Sequence, residues 1–310
     1  MSVQPLDRWA LSRALTRLAN ASPMELAQRP LPKPTPQVAR RIGITGAPGA
    51  GKSTLAGHLA LQRLAKGRLG VLAVDPSSPR SGGAILGDRV RMDDLAGSEQ
   101  LYIRSLGSRK TSDGLADNLP EMLDLMDQFG FGEVLLETVG VGQAEYAVRS
   151  QVDTLVLVLL PDSGDVVQAM KAGIMELADI YVVNKADLPG AQRMVADLRR
   201  IAAVTQRAPH AWAAPILLAS VNQPESIQAL SQAIDQHQEW LAGATHPAAG
   251  QHLQRARYRL KRLLELRLGE IVARQDSGLF EAPLPEQLAQ VLDAARAALT
   301  VERTSCRSTS

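Results

Sequence analysis

The sequence predicts an α/β fold in which a mostly parallel sheet is covered by helices. Three observations predict it. Short runs dominated by Val, Ile and Leu recur along the chain, with too little polar alternation for a sheet wet on one face. Segments of helical periodicity separate them. The first run leads through a glycine-rich loop into a helix, the strand–loop–helix order of parallel α/β sheets.

Element by element, residues 7–28 carry Trp9, Leu11, Leu15, Leu18, Met24 and Leu26 near helical spacing and predict a helix. Pro30, Pro32, Pro34 and Pro36 then make an extended, semi-rigid linker. RIGIT (41–45) is a short buried strand, followed by the glycine loop and a helix over 52–66. GVLAVD (70–75) is a second strand and LYIR (101–104) a weaker third. A helix over 113–129 leads to EVLLE (133–137), and DTLVLVLLP (153–161), DIYVVN (179–184) and PILLAS (215–220) complete the strands. A long helix is expected over 246–273, where Leu253, Leu260, Leu264, Leu268 and Ile271 form a stripe largely free of Arg255, Arg259, Arg262 and Arg267. Asp276-Ser277-Gly278 breaks it, and a last helix runs over 285–299. The expected division is an N-terminal helical arm with its linker (1–37), a nucleotide-binding domain (38–243), C-terminal helices (244–300) and a disordered tail (301–310).

Composition narrows the function classes. With 310 residues, 45% of them hydrophobic, the chain can bury one large domain and still carry appended helices. A net charge of +2 with only 3% aromatics argues against a nucleic-acid partner. The single cysteine, Cys306, supports neither a disulfide framework nor a cysteine metal site. No apolar run approaches the ~18 residues of a membrane span. The first residues lack a continuous signal-peptide core, so the expectation is a cytoplasmic protein without a membrane partner.

Residues 46–53 read GAPGAGKS and fit GxxxxGK(S/T) between a strand and a helix. Gly46, Ala47, Pro48, Gly49, Ala50, Gly51, Lys52, Ser53 and Thr54 thus form a phosphate cradle: its N–H groups turn inward and the following helix adds its positive end. Lys52 is expected on the β- and γ-phosphates and Ser53 on Mg²⁺. The dinucleotide fingerprint GxGxxG fails, because Thr54 stands where its third glycine belongs.

Residues 184–187 read NKAD. The Asp187 carboxylate suits guanine, whose N1–H and exocyclic amine both donate. Adenine leaves that acceptor underused, at about 1–3 kcal/mol per lost bond. Asn184 and Lys185 brace the loop and cover the base. Cradle and base reader together imply GTP and GDP as ligands. Glu137 and Gly140 close the strand EVLLE in the manner of a DxxG element: the carboxylate can serve Mg²⁺ and the Gly140 N–H can meet the γ-phosphate. Asp75, at the end of the second strand, is a further magnesium-side candidate.

GITGAPGAGKSTL, VLAVDPSSPRSGGAILGDRVRM, LLETVGVGQAE and PDSGDVVQAMKAGIMELADIYVVNKADLPGA resemble the MeaB/ArgK/MMAA family of SIMIBI-class GTPases over roughly residues 40–195. The resemblance implies a chaperone of an adenosylcobalamin-dependent acyl-CoA mutase, typically methylmalonyl-CoA mutase, that gates cofactor loading and reactivation by GTP hydrolysis. Adenosylcobalamin would enter only through that partner. Members are usually homodimers through C-terminal helices. The resemblance also places Asp88 in a first switch toward Mg²⁺, Asp75 and Glu137 at acidic active-site positions, and Asp165 and Lys171 in a third switch that links nucleotide state to the mutase. Two stretches depart from the family pattern. IRSLGSRKTSDGLADN (103–118) replaces its RPSP- and TLGG-like stretches, which leaves open an isobutyryl-CoA or 2-hydroxyacyl-CoA mutase as client. Ala219-Ser220-Val221 stands where the guanine loop is usually SA-like, with backbone contacts expected from Ser220 and Val221.

Val141 follows Gly140 where a water-orienting Gln would stand, and Gln143 is displaced, so a slow enzyme accelerated by its partner is expected. Arg80, Arg89, Arg104 and Arg109 are candidate charge donors. Two rivals are weighed. A nickel-insertion GTPase generally carries a Cys or His metal site near its switches, whereas His58, His210, His237, His246 and His252 are scattered. A kinase would need an acceptor pocket and a base, and the guanine loop argues against ordinary ATP use.

Overall fold

The computed structural model describes residues 5–29, 38–76, 98–108, 115–116, 118–138, 143–161, 174–204, 211–243 and 247–305. Seven strands form one sheet: β1 (Arg40–Gly46), β2 (Leu69–Pro76), β3 (Leu101–Ser108), β4 (Glu133–Glu137), β5 (Thr154–Leu159), β6 (Ile180–Asn184) and β7 (Ile216–Ala219). Every pairing is parallel, and the order is β3-β2-β4-β1-β5-β6-β7. β1 and β4 are each flanked by two strands and buried along almost their whole length, as their unbroken apolar runs require.

Helices cover both faces. α3 (Lys52–Arg63) packs on one face with α7 (Pro224–Gly243). Leu55, Leu59, Ile227, Leu230 and Ile234 share a core there with Ile42, Ile44, Leu135, Val156 and Val182. On the other face α6 (Ala191–Val204) sets Met194, Val195 and Leu198 against Leu157, Leu159 and Val183. α4 (Leu119–Gln128) approaches β2 so closely that a Cβ on Gly70 would lie 2.3 Å from Met126 Cε. α5 (Gln143–Arg149) follows β4.

α1 (Arg8–Asn20) buries Leu11, Leu15 and Leu18 and runs beside the edge strand β3. Arg8 donates to Ser98 O and Leu101 O, Arg104 to Ser12 O and Thr16 Oγ1, and Asn118 to Leu18 O. These bonds hold a helix against a strand edge that would otherwise lie open.

Where one helix was expected over 7–28, the structure has two, α1 and α2 (Pro23–Ala27). Ser22 restarts the helix: its hydroxyl accepts from Glu25 N while the Glu25 carboxylate accepts from Ser22 N. Pro23, at the first helical position, has no N–H to return to α1. β3 runs four residues beyond the expected LYIR, because 105–108 pair in register with Ala73–Pro76. α4 begins at Leu119, after Asn118 and just before Pro120.

The chain divides into two compact units. One comprises Met1–Asn20 and Pro32–Arg255, the other Ala21–Leu31 and Ala256–Ser310. In the second lie α2, most of α8 (Pro247–Ala273), α9 (Ser277–Glu281) and α10 (Leu284–Ser305). The expected break at 276–278 is a helix cap, Asp276 Oδ1 accepting from the N–H groups of Gly278 and Leu279. On α8, Leu253, Leu260 and Leu264 of the expected stripe are exposed, whereas Ile271 at its end and Arg262 off it are buried. Leu284, Leu288 and Leu292 form a second exposed row on α10. Among the described residues no helix is long and apolar enough to cross a membrane.

Candidate nucleotide site

β1 ends in Gly46 with φ 142°, and a Cβ there would fall 1.9 Å from Val158 O on β5. Only glycine lets the chain leave the sheet at this point. The loop turns again at Gly51 (φ 81°), where a Cβ would lie 2.6 Å from Asn184 Nδ2. A Cβ on Gly49 (φ 80°), by contrast, would meet nothing within 4 Å. Gly51 N-caps α3 without a side-chain bond, which leaves the positive end of that helix facing the loop.

Lys52, the first residue of α3, is buried and donates to Ala47 O at 3.0 Å across the loop. Ser53 Oγ donates to Glu137 Oε1 at 2.6 Å. This contact joins the cradle to the end of β4, two segments 84 residues apart in sequence. Glu137 is buried, and Thr138 after it is anchored by its N–H to Ile44 O. Ser53 and Glu137 form an all-oxygen pair. Mg²⁺ takes one or two protein oxygens and fills the rest of its octahedron with phosphate and water, so the donor set fits.

The loop at 184–187, the candidate base reader, lies against the same glycine loop. Asn184, the last residue of β6, donates from Nδ2 to Ala50 O at 2.7 Å. Lys185 adopts φ 54° and sends Nζ to Gly49 O at 3.2 Å. Asp187 is exposed, and its Oδ1 accepts from Ser220 Oγ at 3.0 Å. Ser220 is itself fixed: its N–H donates to Ser226 Oγ, and its hydroxyl accepts from Asn222 N. Motif reading assigned residues 219–221 only backbone contacts, and thus missed Ser220 as the residue that orients Asp187. Val221 is partly exposed beside it.

The structure therefore gathers Gly46–Thr54, Glu137, Asn184, Lys185, Asp187 and Ser220 at the carboxyl edge of the sheet, where the neighbours of β1 diverge in sequence order. Asp75, the penultimate residue of β2, lies at the same edge, though its side chain lies outside the described residues. Asp88, Gly140, Asp165 and Lys171 lie outside them as well, as do Arg80, Arg89 and Arg109. Arg104 is half-buried and committed to α1, so it is not poised to donate charge to the phosphates.

The opposite edge carries a different chemistry. Arg63, fully buried at the end of α3, bonds Glu133 at 2.5 and 2.7 Å, Asp235 at 3.0 Å and Ser231 at 3.0 Å. Arg41 pairs with Asp127 at 2.9 Å, and burial raises the Asp127 pKa. Asp179 accepts from Arg149 and Leu155 N, and burial pushes its carboxyl up to about 6. His237 contacts Thr154 Oγ1 at 2.9 Å, sits 3.4 Å from Asp179 and packs in a three-ring cluster with Trp212 and Trp240. Burial first, then Arg149, pulls its pKa down to about 4.

Comparison with known proteins agrees with this geometry. The family model described as "Methylmalonyl Co-A mutase-associated GTPase MeaB" matches residues 11–276. A probable GTPase of Mycobacterium bovis is 42% identical over 246 residues, covering 77% of this chain and 73% of that protein. The mouse protein named "Methylmalonic aciduria type A homolog, mitochondrial" is 36% identical over 218 residues, covering 69% of this chain and 52% of its own length. A crystal structure titled LAO/AO transport system kinase, 23% identical, shares the fold with a TM-score of 0.64 over 94% of this chain and 99% of its own. Since the family match runs from α1 through the whole sheet to the second compact unit, the chain belongs to the MeaB family of GTPases.

Proposed function

We propose that this GTPase uses its nucleotide state to gate adenosylcobalamin loading into, and reactivation of, a B12-dependent acyl-CoA mutase: methylmalonyl-CoA mutase, or a related isobutyryl-CoA or 2-hydroxyacyl-CoA mutase. The GTP chemistry is carried by one observation, the meeting of three distant segments at one loop. Ser53 touches Glu137, and Asn184 and Lys185 touch Ala50 and Gly49. A nucleotide seated there would have its phosphates in the cradle and its base against Asp187. The client is supported by the family description and by the name of the mouse relative.

In this reading Lys52 exchanges its bond to Ala47 O for the β- and γ-phosphates. Ser53 and Glu137 would hold Mg²⁺, whose charge would neutralise that of the phosphates. Asp75 and Asp88 complete the acidic side, and Gly140 contacts the γ-phosphate. Asp165 and Lys171 carry the nucleotide state to the partner. With no Gln directly after Gly140, hydrolysis alone should run at about 10⁻⁴–10⁻² s⁻¹ and rise when the mutase docks. The protein would act in the cytoplasm, with 38–243 as the GTPase domain and 244–300 as the dimerising part. The exposed leucines of α8 and α10 support a homodimer, which sedimentation would test. No observation favours a nickel-insertion GTPase or a kinase.

The test pairs two measurements. GTP turnover is followed with and without a cobalamin-dependent mutase. Nucleotide preference is measured for Asp187→Asn, which should lose about tenfold or more of its GTP-over-ATP selection. Turnover that is fast alone and indifferent to every mutase would remove the chaperone reading. An unchanged preference in Asp187→Asn would remove the base-reader assignment.

A further inference from the structure

Side chains alternate between the two faces of a strand, so each step along β1 and β4 changes face. Ile44 lies in the core shared with α3, and Glu137, its register partner, faces the same way to meet Ser53. The next residues, Thr45 and Thr138, therefore stand on the opposite face. They are level with one another: Ile44 pairs with Glu137, and the Thr138 N–H donates to Ile44 O as the ladder continues. Beyond Thr45 in the same row is Leu157 of β5, part of the core under α6. Beyond Thr138 the row continues at Val74 of β2, one step after the pair of Ala73 with Glu137.

Two hydroxyls thus lie side by side in an otherwise apolar row. Thr45 is 0% exposed and Thr138 1%. Neither Oγ1 has a hydrogen-bond partner among the described residues. A buried hydroxyl without a partner destabilises the arrangement that contains it, and two of them on adjacent strands can satisfy each other. Neighbouring strands lie ~4.8 Å apart, so rotation about χ1 brings the two hydroxyls within bonding reach. Their position ties them to the site. Thr45 precedes Gly46, where the cradle begins, and Thr138 follows Glu137. The bond between Ser53 and Glu137 joins the cradle to the end of β4 on one face of the sheet. A bond between Thr45 and Thr138 would join the ends of β1 and β4 on the other.

We propose that Thr45 and Thr138 are positioning residues of the nucleotide site: their hydroxyls bond to one another when Glu137 turns from Ser53 to serve Mg²⁺ beside GTP, and the bond holds the ends of β1 and β4 together in that arrangement. The inference rests on the assignment of Ser53 and Glu137 to Mg²⁺. While Glu137 accepts from Ser53 the threonines are unpaired, so that arrangement carries two unsatisfied hydroxyls. Pairing them favours the arrangement that serves the ion.

The experiment uses the full chain and a fluorescent, non-hydrolysable GTP analogue. The Mg²⁺ concentration that half-saturates analogue binding is measured for Thr45→Val, Thr138→Val and the double variant, beside urea unfolding of each without nucleotide. Valine keeps the shape of threonine and removes the hydroxyl. The half-saturating Mg²⁺ concentration should rise about five- to tenfold in each single variant and no further in the double, because either change removes the same bond. Urea midpoints should stay level or rise, since neither variant loses a bond that the nucleotide-free chain makes. Thr45→Ser and Thr138→Ser keep the hydroxyl and should return the parental magnesium requirement. A merely structural role would lower the urea midpoints and leave the magnesium requirement unmoved. That result, or losses that add in the double variant, would overturn the proposal. Glu137→Gln separates the two levels of the reading. If it leaves the magnesium requirement unchanged, the ligand assignment fails and the proposal with it. If it raises the requirement and the valine variants do not, the proposal alone fails.

Discussion

Asp187 is exposed, and the proposed guanine contact rests on an acidic side chain that is free to rotate unless something holds it. Ser220 does, with a 3.0 Å hydroxyl bond to Oδ1, and Ser220 is buried and anchored in turn. Ser220→Ala should therefore weaken GTP and GDP binding alike by about 1–2 kcal/mol, roughly 5- to 30-fold, without changing turnover at saturation. Equilibrium titration with a fluorescent guanine nucleotide, beside single-turnover kinetics, separates the two effects. Lys185 shows the same economy of means: a left-handed backbone that a non-glycine residue seldom adopts, paired with an Nζ contact to the cradle.

At the scale of elements, the pieces are joined by ionic clusters at the amino ends of the strands. Arg63 ties α3 to β4 and α7, and Asp235 also pairs with Lys66. Arg63→Met should destabilise the chain by about 3–5 kcal/mol, because Glu133 is left buried and unpaired. Adding Glu133→Leu should restore much of the loss, and urea unfolding of the two variants reads the difference. These clusters are what the sequence concealed. Arg63 and Glu133 lie 70 residues apart, Arg41 and Asp127 lie 86 apart, and no local pattern marks either pair. The second half of β3 was hidden for another reason: Ser105, Gly107 and Ser108 carry little strand propensity, and pairing with β2 overrides it. The break between α1 and α2 was readable in Ser22-Pro23-Met24-Glu25, a capping box masked by the apolar periodicity around it. The cradle and NKAD were legible because each is a contiguous motif whose backbone shape follows from its own residues. Strand order was not, because it is fixed by pairing across the whole chain.

At the scale of the molecule, Asp179 and His237 set opposing pH responses. A carboxyl raised to about 6 contributes stability that is full below its unfolded value near 4 and is lost as pH rises through 6. A histidine lowered to about 4 contributes stability that is full above 6.5 and is lost as pH falls toward 4. Each is worth about 3 kcal/mol at most, and between pH 4 and 6 they offset one another. Relative to the parent, Asp179→Asn should lose stability as pH falls from 6 to 4, and His237→Asn should gain it. Arg149 and Asp153, which act on both groups, stay in place in either variant. Denaturant midpoints at half-unit pH steps would show the two slopes, and slopes of the same sign would refute the pairing.

The strand order also has a consequence for how the protein is made. β1 pairs with β4 and β5 alone, and β2 reaches β1 only through β4. A nascent chain that has left the ribosome as far as residue 130 holds the complete GAPGAGKS motif, yet the strand that carries it has no neighbour. The loop gains its floor when β4 emerges, its wall at Val158 when β5 does, and its brace only with Asn184. GTP cannot assist the early steps of folding. It can reward only a chain whose sheet is already assembled across the middle.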